Sequence, residues 1–209
     1  MLEEIENKVK TGTTTVGIVA KDSVVLAAER KATMGYLVAS QDAKKIYQID
    51  ENMGVTIAGL VGDAQALLRY IQAELKLYKL QEEKKMSIEA ASTLLANILY
   101  SRRFYPYIVQ FVVAGYDSKP RLFTLSPDGS VIEEKYFSTG SGSPIAFGVL
   151  ENEFKEGMEL EQAKKLAIRS VRAATRRDIA SGGSGIDAVV ISKAGFKKLS
   201  DDEVNKLAA

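Results

Sequence analysis

The sequence predicts an α+β protein, arranged as a four-layer αββα sandwich in which two mainly antiparallel sheets are flanked by helix pairs. Three observations lead to this prediction. β-Branched segments come in groups, amphipathic segments come in pairs, and their order is strands, two helices, strands, two helices and a strand. Grouped elements favour packed layers over the strict alternation of a doubly wound fold. Because no repeat or long linker divides the 209 residues, we expect one domain.

The first strands are expected in two pairs. Residues 14–20 are rich in Thr, Val and Ile, and a Lys-Asp-Ser turn separates them from the apolar run 24–28. Residues 45–49 and 53–59 form the second pair, because they flank the turn-forming cluster Asp50-Glu51-Asn52. Each pair predicts a β-hairpin.

Two amphipathic helices are expected next. Asp63 is the predicted N-cap of the first helix, and Ser87 caps the second. Pro106 prevents the second helix from continuing. Apolar side chains recur at the three-and-four spacing of a helix with one buried face. These side chains are Ala64, Leu67, Leu68, Ile71, Leu75 and Tyr78 in the first helix, and Ile88, Ala91, Leu95, Ile98 and Leu99 in the second.

Strands and a second helix pair follow. Strands are expected at residues 110–116, 121–125 and 131–137, and the turn-forming segment 126–130 separates the last two. Pro144 is expected at the first position of the next helix. The longer member of this pair is marked by Leu160, Ala163, Ala167, Val171 and Ala174, which keep helical spacing.

The last part of the chain is predicted to hold one strand and one short helix. The glycine-rich segment 181–185 ends the long helix. Residues 186–192 form an apolar run that predicts a buried strand, and residues 201–209 predict a terminal helix.

Absent residue types restrict the chemistry more than any other feature of the composition. The chain has no cysteine and no histidine, which excludes disulfides, zinc–thiolate sites, thiol nucleophiles and Ser-His-Asp triads. A hydrolase with this sequence needs a carboxylate, a lysine or an amine as its base. The 28 Lys and Arg nearly balance the 27 Asp and Glu, so no overall field attracts nucleic acid or an anionic membrane. A charged N-terminal segment and the lack of an apolar span favour a cytoplasmic protein.

Residues 11–17, Thr-Gly-Thr-Thr-Thr-Val-Gly, contain the best candidate nucleophile. A cut between Gly12 and Thr13 would leave Thr13 with a hydroxyl and a free α-amine on adjacent carbons. Such an amine has a pKa of about 8 and accepts a proton near neutral pH. The opposing interpretation is structural, because β-branched residues that open a strand usually only pack and pair. Gly12 favours catalysis, because a carbonyl without a neighbouring side chain is easily approached by the Thr13 hydroxyl.

Four further segments carry candidate groups, each with a structural alternative. Lys44-Lys45 is either a solvated pair or directs one ammonium inward, where it lowers the pKa of a neighbouring amine or hydroxyl. Residues 29–31 (Glu-Arg-Lys) also fit an exposed strand end, and residues 176–178 (Arg-Arg-Asp) fit the charged last turn of a helix. Segment 138–144 offers backbone N–H groups to an anion. It lacks the G-x-x-x-x-G-K-[ST] pattern of nucleotide loops, which favours a simple helix-entry turn.

Four blocks in one order resemble the β-type subunits of the archaeal core proteasome, which are N-terminal nucleophile hydrolases. The blocks are Gly12-Thr13-Thr14-Thr15-Val16-Gly17, Ala58-Gly59-Leu60-Val61-Gly62-Asp63-Ala64-Gln65, Thr139-Gly140-Ser141-Gly142-Ser143-Pro144 and Arg177-Asp178-Ile179-Ala180-Ser181-Gly182. The resemblance extends from Gly12 to the last strand. Several blocks in a fixed order are far more specific than any one of them.

The resemblance implies an active site centred on Thr13. Residues 1–12 would be a propeptide removed by autocatalytic cleavage between Gly12 and Thr13, and residues 13–209 would be the catalytic domain. Lys45 is implied as the inward lysine that tunes Thr13, and Glu29 as the carboxylate that pairs with it. Thr13 would attack a peptide carbonyl to form an ester, which water assisted by the Thr13 amine then hydrolyses.

Other residues are implied to orient the amine and bind substrate. Ser141, Asp178 and Ser181 match the polar residues around the terminal amine, and the Gly59 N–H matches the oxyanion donor. Thr33 and Gly59 would bind substrate as an added strand. The lining of the first specificity pocket would be Ala32, Ala43, Ile57 and Val61, whose small or aliphatic side chains favour a chymotrypsin-like preference.

The resemblance also implies partners. It predicts heptameric β rings stacked with α-subunit rings, a regulatory ATPase acting through the α ring, and unfolded polypeptide substrates. No cofactor, metal, nucleic acid or membrane is expected. Two alternatives stay open: an unprocessed, structural ring-forming β subunit, and a small-molecule amidase with the same fold.

Overall fold

Residues 12–208 are described by the computed structural model, and they form twelve strands and five helices. The strands are β1 (Thr15–Val19), β2 (Ser23–Glu29), β3 (Ala32–Met34), β4 (Leu37–Ser40), β5 (Ile46–Asp50), β6 (Met53–Gly59), β7 (Val109–Tyr116), β8 (Pro120–Leu125), β9 (Val131–Glu133), β10 (Tyr136–Thr139), β11 (Ile186–Ser192) and β12 (Gly195–Lys198). The helices are α1 (Val61–Glu82), α2 (Ile88–Ser101), α3 (Ser143–Glu153), α4 (Leu160–Thr175) and α5 (Asp201–Ala208). Most of the predicted propeptide, residues 1–11, and the last residue of the predicted terminal helix lie outside the described residues.

Two five-stranded sheets form the centre of the protein. One sheet has the strand order β10-β1-β2-β11-β12, and the other has the order β5-β6-β7-β8-β9. Neighbouring strands in both sheets are antiparallel. Strands β3 and β4 form a separate hairpin. Both predicted hairpins are confirmed, but β1–β2 and β5–β6 belong to different sheets.

Three apolar clusters fill the interfaces between four layers. The first lies between helices α1 and α2 and the sheet that contains β7, and it includes Leu67 and Phe111. The second lies between helices α3 and α4 and the sheet that contains β2, and it includes Leu150. The third lies between the two sheets and includes Leu26 and Val112. This arrangement confirms the predicted four-layer sandwich.

Strand β2 shows how the sequence supports two buried faces. Its side chains alternate, as in any strand: Val25 and Ala27 belong to the cluster under α3 and α4, whereas Val24 and Leu26 belong to the cluster between the sheets. All four residues are fully buried. A central strand covered on both faces therefore appears in the sequence as a continuous apolar run.

Helix boundaries differ from the prediction at two of three positions. Ser87 caps α2 as predicted, because its Oγ accepts a hydrogen bond of 3.2 Å from the Ala90 N–H. Asp63 is not a cap. Leu60 is the N-cap of α1, and the Asp63 carboxylate instead accepts a hydrogen bond of 2.9 Å from the Ile108 N–H. Pro144 is the second residue of α3 rather than the first.

The strand predicted at residues 131–137 is two strands in different sheets. β9 pairs with β8, and β10 pairs with β1. Between them the backbone leaves one sheet and enters the other: the Glu134 N–H still donates to Leu122 of β8, and the Lys135 carbonyl already accepts from Val19 of β1. The sequence analysis also missed β3, β4 and β12. Within residues 12–208, no helix is both long and apolar enough to cross a membrane.

Candidate active site

Thr13 lies at the point where the chain enters β1. Its side chain is almost fully buried, and its hydroxyl donates a hydrogen bond of 2.6 Å to the carbonyl oxygen of Gly12. The Thr13 N–H donates to Ser141 Oγ at 3.2 Å, and the Gly12 N–H donates to Thr33 Oγ1 at 2.9 Å. Sheet register explains these contacts, because Thr15 lies opposite Ala28 of β2 and opposite Thr139 of β10. The residues just before β1 therefore lie between the end of β2 and the loop after β10.

Glu29 and Lys45 form a buried ion pair beside this point. Their side chains are 0% and 6% exposed, and Lys45 Nζ donates directly to Glu29 Oε1. Glu29 Oε1 also accepts from the Thr14 N–H at 3.1 Å. Glu29 Oε2 accepts from the N–H groups of Lys31 at 2.7 Å and Gly182 at 2.9 Å. Four donors hold the carboxylate, which compensates the loss of water around its charge.

The Lys45 ammonium is destabilised by its surroundings. Burial lowers the pKa of Lys45 below its ordinary value, and the attraction of Glu29 opposes this effect only in part. A lysine with a lowered pKa exchanges its proton more readily near neutral pH. Lys45 is therefore suited to stabilising a developing negative charge and to taking part in proton transfer.

Asp178 connects two serines around the backbone of Thr13. Its Oδ2 accepts hydrogen bonds of 2.6 Å from Ser141 Oγ and 2.6 Å from Ser181 Oγ. Ser181 Oγ lies 2.6 Å from Thr14 Oγ1. Because each serine hydroxyl donates to Asp178, Ser141 Oγ presents its lone pairs to the Thr13 nitrogen, and Ser181 Oγ accepts from Thr14.

The loop after β10 contacts Thr13 so closely that it requires glycine. Gly140 has φ +93°, and a Cβ at this position would lie 2.1 Å from the Thr13 carbonyl oxygen. The Gly142 N–H donates to the same oxygen at 3.2 Å. The glycines thus allow Ser141 to lie within hydrogen-bond distance of Thr13.

A cavity of about 210 Å³ opens beside Thr13. It is lined by all six residues that the sequence analysis predicted for substrate binding, namely Ala32, Thr33, Ala43, Ile57, Gly59 and Val61. The structure therefore brings together the predicted site residues, which lie on β2, β3, β6, the start of α1 and the loops around them.

Lys44, Tyr47 and Gln65 also line this cavity, and the sequence analysis did not predict them. Strand and helix periodicity could have identified the last two. Tyr47 lies two residues after Lys45, and Gln65 lies four residues after Val61 in α1, so each shares a face with a predicted site residue. The Lys44 ammonium lies 4.8 Å from the centre of the Tyr47 ring at the edge of the cavity.

A larger cavity among the described residues lies elsewhere and is not lined by Thr13. Its volume is about 500 Å³, and its lining includes Arg121, Lys135 and Glu156. Four of the charged groups there form ion pairs, since Lys135 lies 2.8 Å from Glu156 and Arg121 lies 2.8 Å from Glu133. Size alone therefore does not identify the candidate site; the smaller cavity is lined by Thr13 and by Lys45 of the buried ion pair.

Together these groups can support covalent catalysis by a hydroxyl. A buried threonine hydroxyl donates to the carbonyl oxygen of the preceding residue, and it lines a cavity together with a lysine whose pKa is lowered. Such an arrangement is typical of activated nucleophiles.

Comparisons with known proteins agree with this geometry. The family model described as "Proteasome subunit" matches residues 9–191. The chain is 50% identical over 199 residues to the "Proteasome subunit beta" of Methanocaldococcus vulcanius. This alignment covers 94% of this chain and 89% of the relative. It is 49% identical to that of Picrophilus torridus, with 93% of both chains covered. It is 48% identical to that of Thermoplasma acidophilum, with 93% and 92% covered.

Proposed function

The chain belongs to the proteasome subunit family as a β-type subunit of the proteasome core, and from this premise we propose that it is a threonine-type endopeptidase whose nucleophile is Thr13. The observation that carries the proposal is that Thr13 lines the cavity together with Lys45, the cation of the buried Glu29–Lys45 ion pair. Neither group would be expected at a purely structural strand start.

The proposed first step is self-cleavage. Thr13 Oγ attacks the Gly12 carbonyl carbon, its proton passes to the Thr13 nitrogen, and the amide C–N bond breaks to leave an ester. Water then hydrolyses the ester, which regenerates the hydroxyl and leaves a free α-amine on Thr13. This step is supported by the hydrogen bond of 2.6 Å from the hydroxyl to the Gly12 carbonyl oxygen, because it holds the hydroxyl beside the carbonyl group that is attacked. Residues 1–12 are the propeptide in this proposal.

Peptide hydrolysis then uses the new amine. The Thr13 amine accepts the proton of Thr13 Oγ as the hydroxyl attacks the substrate carbonyl, and it delivers that proton to the leaving amine of the product. The Lys45 ammonium stabilises the negative charge that develops at the hydroxyl. A second cycle with water hydrolyses the ester.

Ser141, Asp178 and Ser181 are proposed to orient the amine. The Thr13 nitrogen already donates to Ser141 Oγ at 3.2 Å. After cleavage the same nitrogen can keep this contact, because the Ser141 hydroxyl proton is directed to Asp178. One N–H of the amine is then fixed, and its lone pair can be directed towards Thr13 Oγ.

Substrate recognition is proposed from the contacts that Gly12 makes before cleavage. Gly12 is the residue before the cut, and its N–H donates to Thr33 Oγ1. A substrate residue in this position would make the same backbone contact, with Gly59 as the proposed oxyanion donor. Ala32, Ala43 and the aliphatic residues of the cavity favour an apolar side chain before the cut. We expect a chymotrypsin-like preference.

The proposal also includes assembly. The family premise favours heptameric β rings stacked with α-subunit rings in the cytoplasm, with a regulatory ATPase acting through the α ring. Unfolded polypeptides would be cut to short peptides inside the assembly. The names of the relatives, which are all "Proteasome subunit beta", support the coarser part of this arrangement, namely assembly with other proteasome subunits.

The decisive experiment measures the mass and the N-terminal sequence of the chain after assembly with α-type subunits. We expect loss of residues 1–12, a new N-terminus at Thr13, and hydrolysis of unfolded protein. Thr13→Ala should assemble into rings, retain residues 1–12 and show no peptide hydrolysis.

Two other outcomes would contradict the proposal. An intact wild-type chain in assembled particles would identify an unprocessed structural subunit. Turnover of small amides without cleavage of unfolded protein would identify an amidase.

A further inference from the structure

Arg30 directly follows Glu29, the last residue of β2, and connects this strand end to β11 and α5. Its side chain is only 13% exposed. The guanidinium binds Asp201, the first residue of α5, through two hydrogen bonds of 2.5 and 3.3 Å. It also binds Asp187 of β11 at 3.0 Å. One planar side chain thus bridges carboxylates from two elements, a geometry suited to arginine.

The backbone of Arg30 connects the two segments that carry the proposed catalytic groups. Its N–H donates to the Gly182 carbonyl at 3.0 Å, and its carbonyl accepts from the Ala43 N–H at 2.7 Å. Gly182 directly follows Ser181, and Ala43 lies two residues before Lys45. The position of the Arg30 backbone therefore affects both segments at once.

The loop that contains Gly182 packs against Arg30 without spare room. Gly183 has φ +91°, and a Cβ there would lie 2.6 Å from the Arg30 carbonyl carbon. A Cβ on Gly185 would lie 3.4 Å from Arg30 Nη1. The same loop also contacts Glu29, because the Gly182 N–H donates to Glu29 Oε2 at 2.9 Å. A shift of Arg30 would therefore move the Glu29–Gly182 contact.

We propose that Arg30 is a positioning residue for the endopeptidase: its ion pairs with Asp187 and Asp201 fix the strand end that holds Glu29 and Lys45 in place and keeps Ser181 beside Thr14. This inference rests on the proposed function. Arg30 does not line the cavity beside the proposed nucleophile, but its carbonyl accepts a hydrogen bond from Ala43, which does. It acts through Glu29, Ala43 and Gly182, and it links α5 to the active site.

The test compares kcat and KM of assembled particles that contain wild-type chain or Arg30→Met. The substrate is a fluorogenic peptide with an apolar residue before the cut. Arg30→Met should lower kcat by about 10-fold or more, because small misplacements of catalytic groups cost up to about 10²-fold. kcat should fall by a larger factor than KM rises, because Arg30 is hydrogen-bonded to one residue of the cavity lining, Ala43, whereas the segments that carry Glu29, Lys45 and Ser181 all depend on its position. Arg30→Lys should restore part of the rate, since lysine keeps the charge but cannot bridge both carboxylates in the same geometry.

Arg121→Met is the matched control. The Arg121 side chain is 15% exposed and also bridges two carboxylates, Glu89 and Glu133, at 2.8 Å each. It lies on β8 and lines the large cavity that does not contain Thr13. We expect its kcat to stay within about twofold of wild type at equal fraction folded, as for most substitutions remote from a site.

Asp201→Asn tests the contact between Arg30 and Asp201 from the side of the carboxylate. The Asp201 side chain is 65% exposed, and after its change the guanidinium of Arg30 keeps its ion pair with Asp187. Asp201→Asn should lower kcat less than Arg30→Met. The double variant should be no slower than Arg30→Met alone, because Arg30→Met already removes the contact with Asp201.

The possible results separate the two proposals. If wild-type and Thr13→Ala particles hydrolyse peptide equally, the proposed function and this inference are both wrong. If they differ but Arg30→Met and Arg121→Met give the same kcat, only the role of Arg30 is wrong. A loss confined to KM would also overturn it.

Discussion

At the scale of single residues, Glu29 determines how the proposed site is held together. Its carboxylate accepts from Lys45 Nζ and from three backbone N–H groups, those of Thr14, Lys31 and Gly182. These donors come from different parts of the chain. A neutral or shorter side chain would leave several of them without an acceptor, and the cost of each buried unpaired group is about 1–3 kcal/mol.

Lys45→Ala should prevent both self-cleavage and peptide hydrolysis. It removes the buried cation that lines the cavity together with Thr13, and we expect kcat to fall by at least about 10²-fold. Intact mass should show retention of residues 1–12, and a peptide assay should show no turnover. Removal of one partner from a buried ion pair also costs about 3–5 kcal/mol of stability.

Lys45→Met distinguishes loss of the charge from loss of folding. Methionine fills most of the volume of the lysine stem, so this variant should fold better than Lys45→Ala and remain equally inactive. Normal processing of a folded Lys45→Met chain would show that the tuning group has been assigned wrongly.

At the scale of elements, the entry into β1 depends on two close contacts made by glycine. A Cβ on Gly12 would lie 1.7 Å from the Ala180 Cβ, and a Cβ on Gly140 would lie 2.1 Å from the Thr13 carbonyl oxygen. The loops on either side of β1 thus hold the backbone around the predicted cleavage site. A larger residue at position 12 must displace either the carbonyl that Thr13 attacks or the loop that carries Ser181.

Gly12→Ala should therefore slow self-cleavage by about 10²-fold, because the reacting carbonyl moves away from the Thr13 hydroxyl. The measurement is the rate at which the cleaved chain appears by mass spectrometry during assembly. Any chain that completes cleavage should have the kcat of wild type, because position 12 is lost with the propeptide. Cleavage at the wild-type rate would mean that the contact with Ala180 does not position the carbonyl.

At the scale of the whole molecule, buried hydroxyls connect the two sheets beneath the site. Thr15 Oγ1 of β1 lies 2.9 Å from Thr56 Oγ1 of β6 and 2.7 Å from Thr139 Oγ1 of β10. The three side chains are nearly or fully buried. Apolar contacts between the sheets are non-directional, whereas this hydrogen bond requires one particular placement of β1 over β6.

Thr15→Val should destabilise the protein more than Thr56→Val. The first change removes the central hydroxyl and leaves two buried hydroxyls without this partner, at about 1–3 kcal/mol each. The second leaves Thr15 bonded to Thr139. Guanidinium unfolding at an unchanged m-value should give the lower midpoint for Thr15→Val. Equal midpoints would show that the three hydroxyls do not act as a connected group.

The sequence predicted the class of each long element with few errors, and the errors have physical causes. Residues 131–137 contain one β-prone run, but the run crosses from one sheet to the other. Asp63 resembles an N-cap because acidic residues favour a first helical turn, and its carboxylate instead binds the Ile108 N–H. Local propensity does not report which of several partners a polar side chain meets.

The sequence by itself determined the order of strands and helices, the absence of histidine and cysteine chemistry, and the candidate nucleophile beside Gly12. Only the tertiary structure decided that Lys45 points inward to Glu29, that Asp178 joins Ser141 to Ser181, and that Arg30 connects these segments to α5. The reason is the separation along the chain. Periodicity describes neighbours within a few residues, whereas Thr13 meets a serine 128 residues away and Thr14 one 167 residues away. Such contacts depend on how the two sheets and their loops pack, because packing alone brings the ends of distant strands to one place.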